Sequence, residues 1–533
     1  MNFATIDYVV FALYAVLVMG VGLWVSRSKA GHERNAEDYF LAGKTLPWWA
    51  IGSSLIASNI SAEQFIGMSG SGFAIGLGIA TYEWMAAVTL LVVAKFFLPI
   101  FLNKGIFTMP QFLEVRYDNR VRTAMAVFWL LLYVFVNLTS VLYLGALALK
   151  TIMGVDLTIA IVGLALFAVL YSLAGGLTAV AWTDVIQVVF LVIGGLVTTY
   201  LGLQAVGMGE GVIAGFQRLV ELAPEKFDMI FSKDATYTDI ATGELKSAYA
   251  LLPGISVLVG GMWIANLNYW GCNQYIIQRA LAAKNLAEAQ RGVAFAAYLK
   301  LLLPLIVVIP GICAYVLKAP IDKADEAYPW LLNAFVGPGL KGLAFAALVA
   351  AIVSSLASMM NSASTIFTMD LYQHLLRKQA GDRELVLTGR IASFAAILIA
   401  ALIAPMLSSL EQGFQFIQDF TGLISPGVVA IFVMGLFWKR ASAFAALVAA
   451  VASIPLSLLI NRLLPGIPFI DRMGLVFLIL CAAIVVISLT VKGNTETDKG
   501  IELEGGTFRS DQVFNVLAIG VLGITAALYA LFW

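Results

Sequence analysis

Apolar runs of about twenty residues, parted by short polar segments, repeat along the whole chain. A run of about 20 apolar residues is what an α-helix needs to cross a bilayer. Marking such runs predicts about fourteen spans, near 5–26, 48–72, 78–102, 122–149, 157–173, 182–206, 249–273, 292–317, 334–370, 388–408, 413–437, 442–460, 470–491 and 512–532. The first run lacks a basic leading segment and a small-residue cleavage site, so it reads as a membrane anchor and not a signal peptide. Basic residues gather after alternate spans: Arg27, Lys29, Arg34 and Lys44 after the first, Lys104, Arg116, Arg120 and Arg122 after the third, Arg279 and Lys284 after the seventh, Arg377, Lys378 and Arg383 after the ninth, Lys439 and Arg440 after the eleventh. Lys and Arg concentrate on the cytoplasmic side, so this alternation predicts both termini outside. The long 207–248 segment is rich in Asp and Glu, and Lys492–Ser510 reads as a polar linker to the last span.

One run breaks the pattern. "LIASNISAEQFIGMSGSG" (Leu55–Gly72) is flanked by apolar residues yet carries Asn59, Ser61, Glu63, Gln64 and a string of glycines. In lipid every backbone N–H and C=O needs a partner, so a helix is interrupted at depth only against protein or a polar cavity. Such a break frees backbone groups that hold a cation and a polar solute near the midplane. A helix end at the lipid surface is the competing reading. It is the weaker one, because the stretch from Trp48 to Asn59 is too short to finish crossing. Five spans on, "GGMWIANLNYWGCNQYIIQR" has paired glycines (Gly260, Gly261) and mid-span amides (Asn266, Asn268). Two interrupted spans five apart predict two five-helix repeats of opposite topology over about 48–206 and 249–437, with the first span and three spans at about 442–532 as accessories to one transmembrane domain.

Composition agrees. The chain has 533 residues, 61% hydrophobic and 12% charged, with Lys+Arg and Asp+Glu equal at 32 each. The class is an all-α, multi-pass plasma-membrane protein (inner membrane in a bacterium), with the bilayer as surroundings, no basic surplus for nucleic acid and no obligatory protein partner indicated. Cys272, Cys313 and Cys481 are far apart and apolar in context, and His32 and His374 fall in separate charged loops, so a Cys or His metal or catalytic centre is not expected.

Polar residues inside spans then carry the chemistry. Glu83, Lys300, Asp184, Gln418, Asp419, Ser354 and Ser355 all fall within predicted spans. Each has a plainer reading: Asp184 as a helix cap, Lys300 snorkelling to the surface, the serines packing helices closely. Taken together, a carboxylate, an ammonium and several amides beside Tyr269 and Trp270 suit a neutral polyhydroxylated solute, whose hydroxyls both donate and accept and whose apolar ring face lies on an aromatic ring. An anionic solute would want Arg at mid-depth, and an enzyme would want a nucleophile–base pair or metal cluster; neither is visible in the sequence.

At these residues the chain resembles the solute:sodium symporter family, nearest its sodium/galactose and sodium/glucose cotransporters. The resemblance rests on "ISAEQFIGMSGSG", "YEWM", "VNLTSVLYLG", "YSLAGGLTAVAWTDVIQ", "NQYIIQRALAAK", "VSSLASMMNSASTIFTMD" and "DFTG", and runs from the first span to the final "LFW". It implies a LeuT-type fold of fourteen helices and sodium-coupled uptake of galactose or glucose. Carried over residue by residue, the sugar would be held by Gln64, Glu83, Asn266, Lys300 and Gln418. Tyr269 would stack on the pyranose as inner gate, packed by Trp270. Met68, Tyr82 and Phe414 would form an outer lid. Sodium would take carbonyls of Ala57, Ile60 and Ala351 and hydroxyls of Ser354 and Ser355, with Asp184 on the inward ion path. The chain departs from the galactose pattern at Ala86, where a serine is expected, and at Asn268, where an aromatic is expected. Rival readings are another solute of the family (myo-inositol, an amino acid, a sialic acid) and a sugar sensor that does not transport.

Overall fold

The computed structural model describes residues 4–25, 35–409, 413–491 and 499–533; side chains at 171–175, 408–409, 413–416 and 419 lie outside the description. The chain is a helical bundle, built from α1 (Thr5–Val25), α2 (Trp48–Asn59), α3 (Ser69–Ile75), α4 (Thr81–Val92), α5 (Leu157–Val206, two helices meeting at a kink at Gly176), α6 (Gly261–Leu267), α7 (Gln274–Leu281), α8 (Leu286–Val316), α9 (Leu340–Ile366), α10 (Gly413–Phe437), α11 (Phe469–Thr490), α12 (Gln512–Leu531) and the helices between them. Among the described residues eleven helices are long and apolar enough to span a membrane, or twelve if the bent pair Ala248–Val259 and Gly261–Cys272 is one span. The fourteen spans read from the sequence are therefore not all separate spans by that measure. Glu63–Asn103 is one apolar helical stretch covering parts of two of them, α2 has only 12 residues, and Leu157–Leu170 is short.

The first interruption falls where the polar cluster predicts it. Helix α2 ends at Asn59, and Ile60 is extended (φ −74°, ψ 107°) before the chain coils again through a wide turn over Glu63–Met68 into α3. The second differs from expectation. Gly260 marks an 82° bend between Val259 and Gly261, but Asn266 and Asn268 are helical. The helix gives way at Asn273, which is extended like Ile60 (φ −90°, ψ 123°) and starts α7. The two breaks thus share one backbone conformation.

The glycines after Gln64 are not breakers. Gly72 lies inside α3, where an added Cβ would come within 2.7 Å of the Val308 carbonyl oxygen, and across the contact a Cβ on Gly311 would come within 2.0 Å of the Ser69 carbonyl oxygen. They let α3 and α8 meet backbone to backbone, as small residues do between membrane helices. The turn falls to Gly76 (φ +76°, ψ −150°), a region open essentially to glycine alone.

The acidic 207–248 segment is folded, not a plain loop. It carries a helix at Val212–Leu222 and a hairpin pairing β1 (Thr236–Thr238) with β2 (Leu245–Ser247). Lys226 from this segment donates to the Ala74 carbonyl at 2.6 Å and lies 4.0 Å from the centre of the Tyr315 ring, so the segment closes over one end of α3 and α8. Three cations counted as loop charges are also buried. Arg116 donates to the Gly435 and Trp438 carbonyls, Arg122 pairs with Asp370 and Glu114, and Arg279 is wholly enclosed. Of the Lys492–Ser510 linker, 492–498 lie outside the described residues; Lys499 donates to the Tyr117 carbonyl at 2.9 Å.

An alanine at Gly76 would have to adopt glycine-only dihedrals with its Cβ 2.2 Å from the Lys226 carbonyl oxygen. Strain of about 1–3 kcal/mol is expected from the dihedrals alone. Gly76→Ala should lower the midpoint of thermal unfolding in detergent by several degrees, read by the loss of monodisperse protein on heating.

Candidate functional site

The two breaks face one cavity. The five residues expected on a sugar, Gln64, Glu83, Asn266, Lys300 and Gln418, all line it, with Met68, Tyr82, Tyr269 and Trp270 of the expected gates. Phe414 has its side chain outside the description. Ala86 lines the cavity too; Asn268 does not.

Each polar group is already aimed. Gln64 accepts from the Ser61 N–H at 2.9 Å and from its hydroxyl at 3.2 Å, which fills the amide oxygen within the break and leaves its NH₂ to donate. Asn266 is the converse: its NH₂ donates to the Met262 carbonyl at 3.2 Å, leaving the oxygen to accept. Lys300 forms an ion pair with Glu83 and stands 5.0 Å from the centre of the Trp270 ring. It is 1% exposed, so snorkelling is excluded. A buried pair of this kind persists because each ion neutralises the other.

Tyr269 forms the wall at the second break. Its hydroxyl accepts from the Asn59 NH₂ at 2.9 Å and from the Tyr275 hydroxyl at 2.6 Å, and its ring meets Trp270 edge-on with centres 5.1 Å apart. The hydroxyl therefore joins the end of α2 to the start of α7. Tyr133 donates to the Asn273 side chain and fixes the break itself.

Behind the cavity, the expected ion ligands Ala57, Ile60, Ala351, Ser354 and Ser355 are all fully buried. The Ser355 hydroxyl lies 3.0 Å from the Ser58 carbonyl oxygen and 3.3 Å from that of Ile60, so three oxygens converge at the end of α2. The last four carbonyls of a helix have no intrahelical donor, and Ala57 is in that last turn. The Ser354 hydroxyl donates to Asp184. Asp184 is not a helix cap: it lies well inside α5, fully buried, and takes a second hydrogen bond from Ser54. Arg279 on α7 stands 4.0 Å from it and donates to Ser54 at 3.1 Å, to Ser358 and to the Tyr275 carbonyl. This cluster ties α2, α5, α7 and α9 together.

Sequence reasoning counted Glu63 and Asn59 only as part of the broken stretch and did not single out Asn137, Asn273 or Tyr275; all five line the cavity. Glu63 and Asn59 stand in the broken stretch itself, where a polar residue next to a helix break was the available signal.

The profile of the Sodium:solute symporter family matches residues 39–452. The chain belongs to this family. The symporter is 52% identical over 545 residues to the "Sodium/glucose cotransporter" of Vibrio parahaemolyticus, covering 99% of this chain and 98% of that one. It is 39% identical to the mouse "Sodium/myo-inositol cotransporter 2", over 81% of this chain and 66% of that one. Its fold matches a solved structure of a Na⁺-coupled sialic acid symporter with a TM-score of 0.77 at 25% identity, over 92% of this chain and 99% of that one. The closed Mhp1 nucleobase-cation transporter shares the fold at TM-score 0.55 and 14% identity, over 87% of this chain and 98% of that one. The protein is a multi-pass, sodium-coupled solute symporter, in a family of transporters and not of enzymes.

Removing one partner of a buried ion pair costs about 3–5 kcal/mol, whereas removing both charges costs far less. Lys300→Met should therefore unfold at a lower temperature than Lys300→Met combined with Glu83→Gln. Melting the single and double variants side by side in detergent checks this; equal losses would mean the pair carries no coupling.

Proposed function

We propose that this symporter couples inward sodium flow to uptake of a neutral hexose, galactose or glucose, by alternating access between two inverted five-helix repeats over about 48–206 and 249–437, with both termini outside. The observation that carries the sugar reading is the shape of the polar set. Gln64 offers donors, Asn266 an acceptor, and Glu83 with Lys300 one of each, all at one cavity beside Tyr269 and Trp270. Vicinal hydroxyls pair with such alternating groups, and a pyranose face lies against a ring. The 52% identity to a sodium/glucose cotransporter supports the same substrate class.

Sodium would bind where α2 breaks, on the carbonyls of Ala57, Ile60 and Ala351 and the hydroxyls of Ser354 and Ser355. Hard cations favour such oxygen sets. Support comes from the convergence of Ser355 on the Ile60 carbonyl, and from Ser354 spending its proton on Asp184, which leaves its oxygen lone pairs for an ion. Asp184 would then act on the inward route. The Tyr269 hydroxyl, held by Asn59 next to that break, would sense the ion through the end of α2. One charge moving through 100 mV supplies about 2.3 kcal/mol, and a tenfold sodium gradient adds about 1.4 kcal/mol. Together they support accumulation of roughly several hundredfold for a one-to-one symporter.

Sodium-dependent uptake of labelled galactose, glucose and myo-inositol into proteoliposomes tests the reading. Accumulation of a hexose against its gradient supports it; accumulation of myo-inositol alone moves the substrate to that polyol; binding without accumulation makes the protein a sensor. Ser355→Ala should raise the sodium concentration for half-maximal uptake more than it raises the sugar concentration, and an unmoved sodium requirement would reduce Ser355 to helix packing. Tyr269→Phe keeps the ring and should retain substantial transport, with a raised sodium requirement because the hydroxyl's bonds to Asn59 and Tyr275 are lost. Tyr269→Ala loses the ring and should fail to accumulate sugar, with both affinity and turnover reduced; equal transport by the two variants would place the inner barrier elsewhere.

A further inference from the structure

A neutral hexose leaves one carboxyl of the cavity without a cationic partner. Its described lining residues include two carboxylates, Glu63 and Glu83, and one ammonium, Lys300. Lys300 is spent on Glu83. Glu63 takes an amide hydrogen from Gln418 at 3.2 Å, and among the described residues no Lys, Arg or His lies within ion-pair distance of it. The neighbouring stretch "LEQGFQFIQD" (410–419) holds no Lys or Arg, so its side chains bring no such cation either. The cavity wall also holds an acceptor with no donor: the side-chain oxygen of Asn137 is buried and unpaired. A buried carboxyl without a cation beside it either keeps its proton or waits for a cation to enter, and an ammonium, with three donors and no acceptor, is the group that answers such a carboxylate and can also donate to an empty acceptor in the same wall.

We propose that the cavity also takes amino sugars in their protonated form, the ammonium of a hexosamine lying against Glu63 while the ring and remaining hydroxyls use the groups assigned to a neutral hexose. This rests on the sugar reading above. A hexosamine differs from its hexose by one amino group in place of a hydroxyl, so the other hydrogen bonds and the ring stacking are kept.

The test uses the full chain in proteoliposomes, at a pH below that of half-protonation of the amine. Labelled galactose and glucose are measured first. Labelled glucosamine, galactosamine and their N-acetyl derivatives, which have the same ring but no charge, follow in the same vesicles. The proposal expects sodium-dependent uptake of the hexosamines, competition between them and neutral hexose, poorer uptake of the N-acetyl forms, and one more elementary charge moved per hexosamine than per hexose. Glu63→Gln should lower the affinity for hexosamine relative to hexose by about tenfold, about 1.4 kcal/mol, and Glu63→Asp should restore most of the ratio. Hexose uptake with no uptake of or competition by hexosamines overturns the proposal, as does an unchanged ratio in Glu63→Gln. If that variant does not fold, the charge moved per sugar in the unaltered protein decides: an equal charge for hexose and hexosamine overturns it. Hexosamine uptake without hexose uptake would uphold this inference and remove the neutral-hexose reading.

Discussion

A backbone amide in hydrocarbon has nowhere to turn but to its own helix, and the organisation of this protein follows from the two places where that rule is suspended. At Ile60 and at Asn273 the chain is extended for a residue. Each break has to be lined by side chains that supply what the helix no longer does. Ser355 meets the carbonyls of Ser58 and Ile60, Gln64 meets the Ser61 N–H, and Tyr133 holds Asn273. Gln64 and Asn273, which line the cavity, are thus also residues that make a broken membrane helix tolerable.

The Tyr269 hydroxyl, accepting from both Asn59 and Tyr275, and the Arg279 cluster then fasten the two breaks to each other. Arg279 and Asp184 are both fully enclosed. Their charges face one another across 4.0 Å, with the Ser54 hydroxyl bridging them by accepting from Arg279 and donating to Asp184. Small side chains around them, the serines of α9 above all, allow helices to approach closely enough for this to occur.

Much of this was legible in the sequence because hydrocarbon punishes polarity so severely. A carboxylate such as Glu83 or an ammonium such as Lys300 within an apolar run has few readings, and the break after Asn59 follows from its own residues. What escaped notice had an innocent local reading. Arg279, Arg122 and Arg116 look like ordinary cations flanking a span, since nothing in the local pattern tells a solvated arginine from one folded under a neighbouring helix. The paired glycines do mark a break, the 82° bend at Gly260, with Gly261 in close approach to the Ile470 carbonyl, but the opening at the cavity is a second one at Asn273, and a single Asn before a new helix is a weaker signal in sequence. The 207–248 segment has short elements whose packing on Gly76 and Ala74 depends on long-range contact, which no window of sequence contains.

The enclosure of Lys300 and Glu83 has an electrical consequence. Mobile ions screen charges only where solvent reaches, over about 8 Å at physiological ionic strength. At 1% and 3% exposure this pair is little reached by solvent, so its attraction is set by the fold more than by the medium. Adding an inert salt therefore leaves the attraction within this pair largely as it was. A bath of higher ionic strength would thus weaken contacts at the protein surface well before it reached this pair.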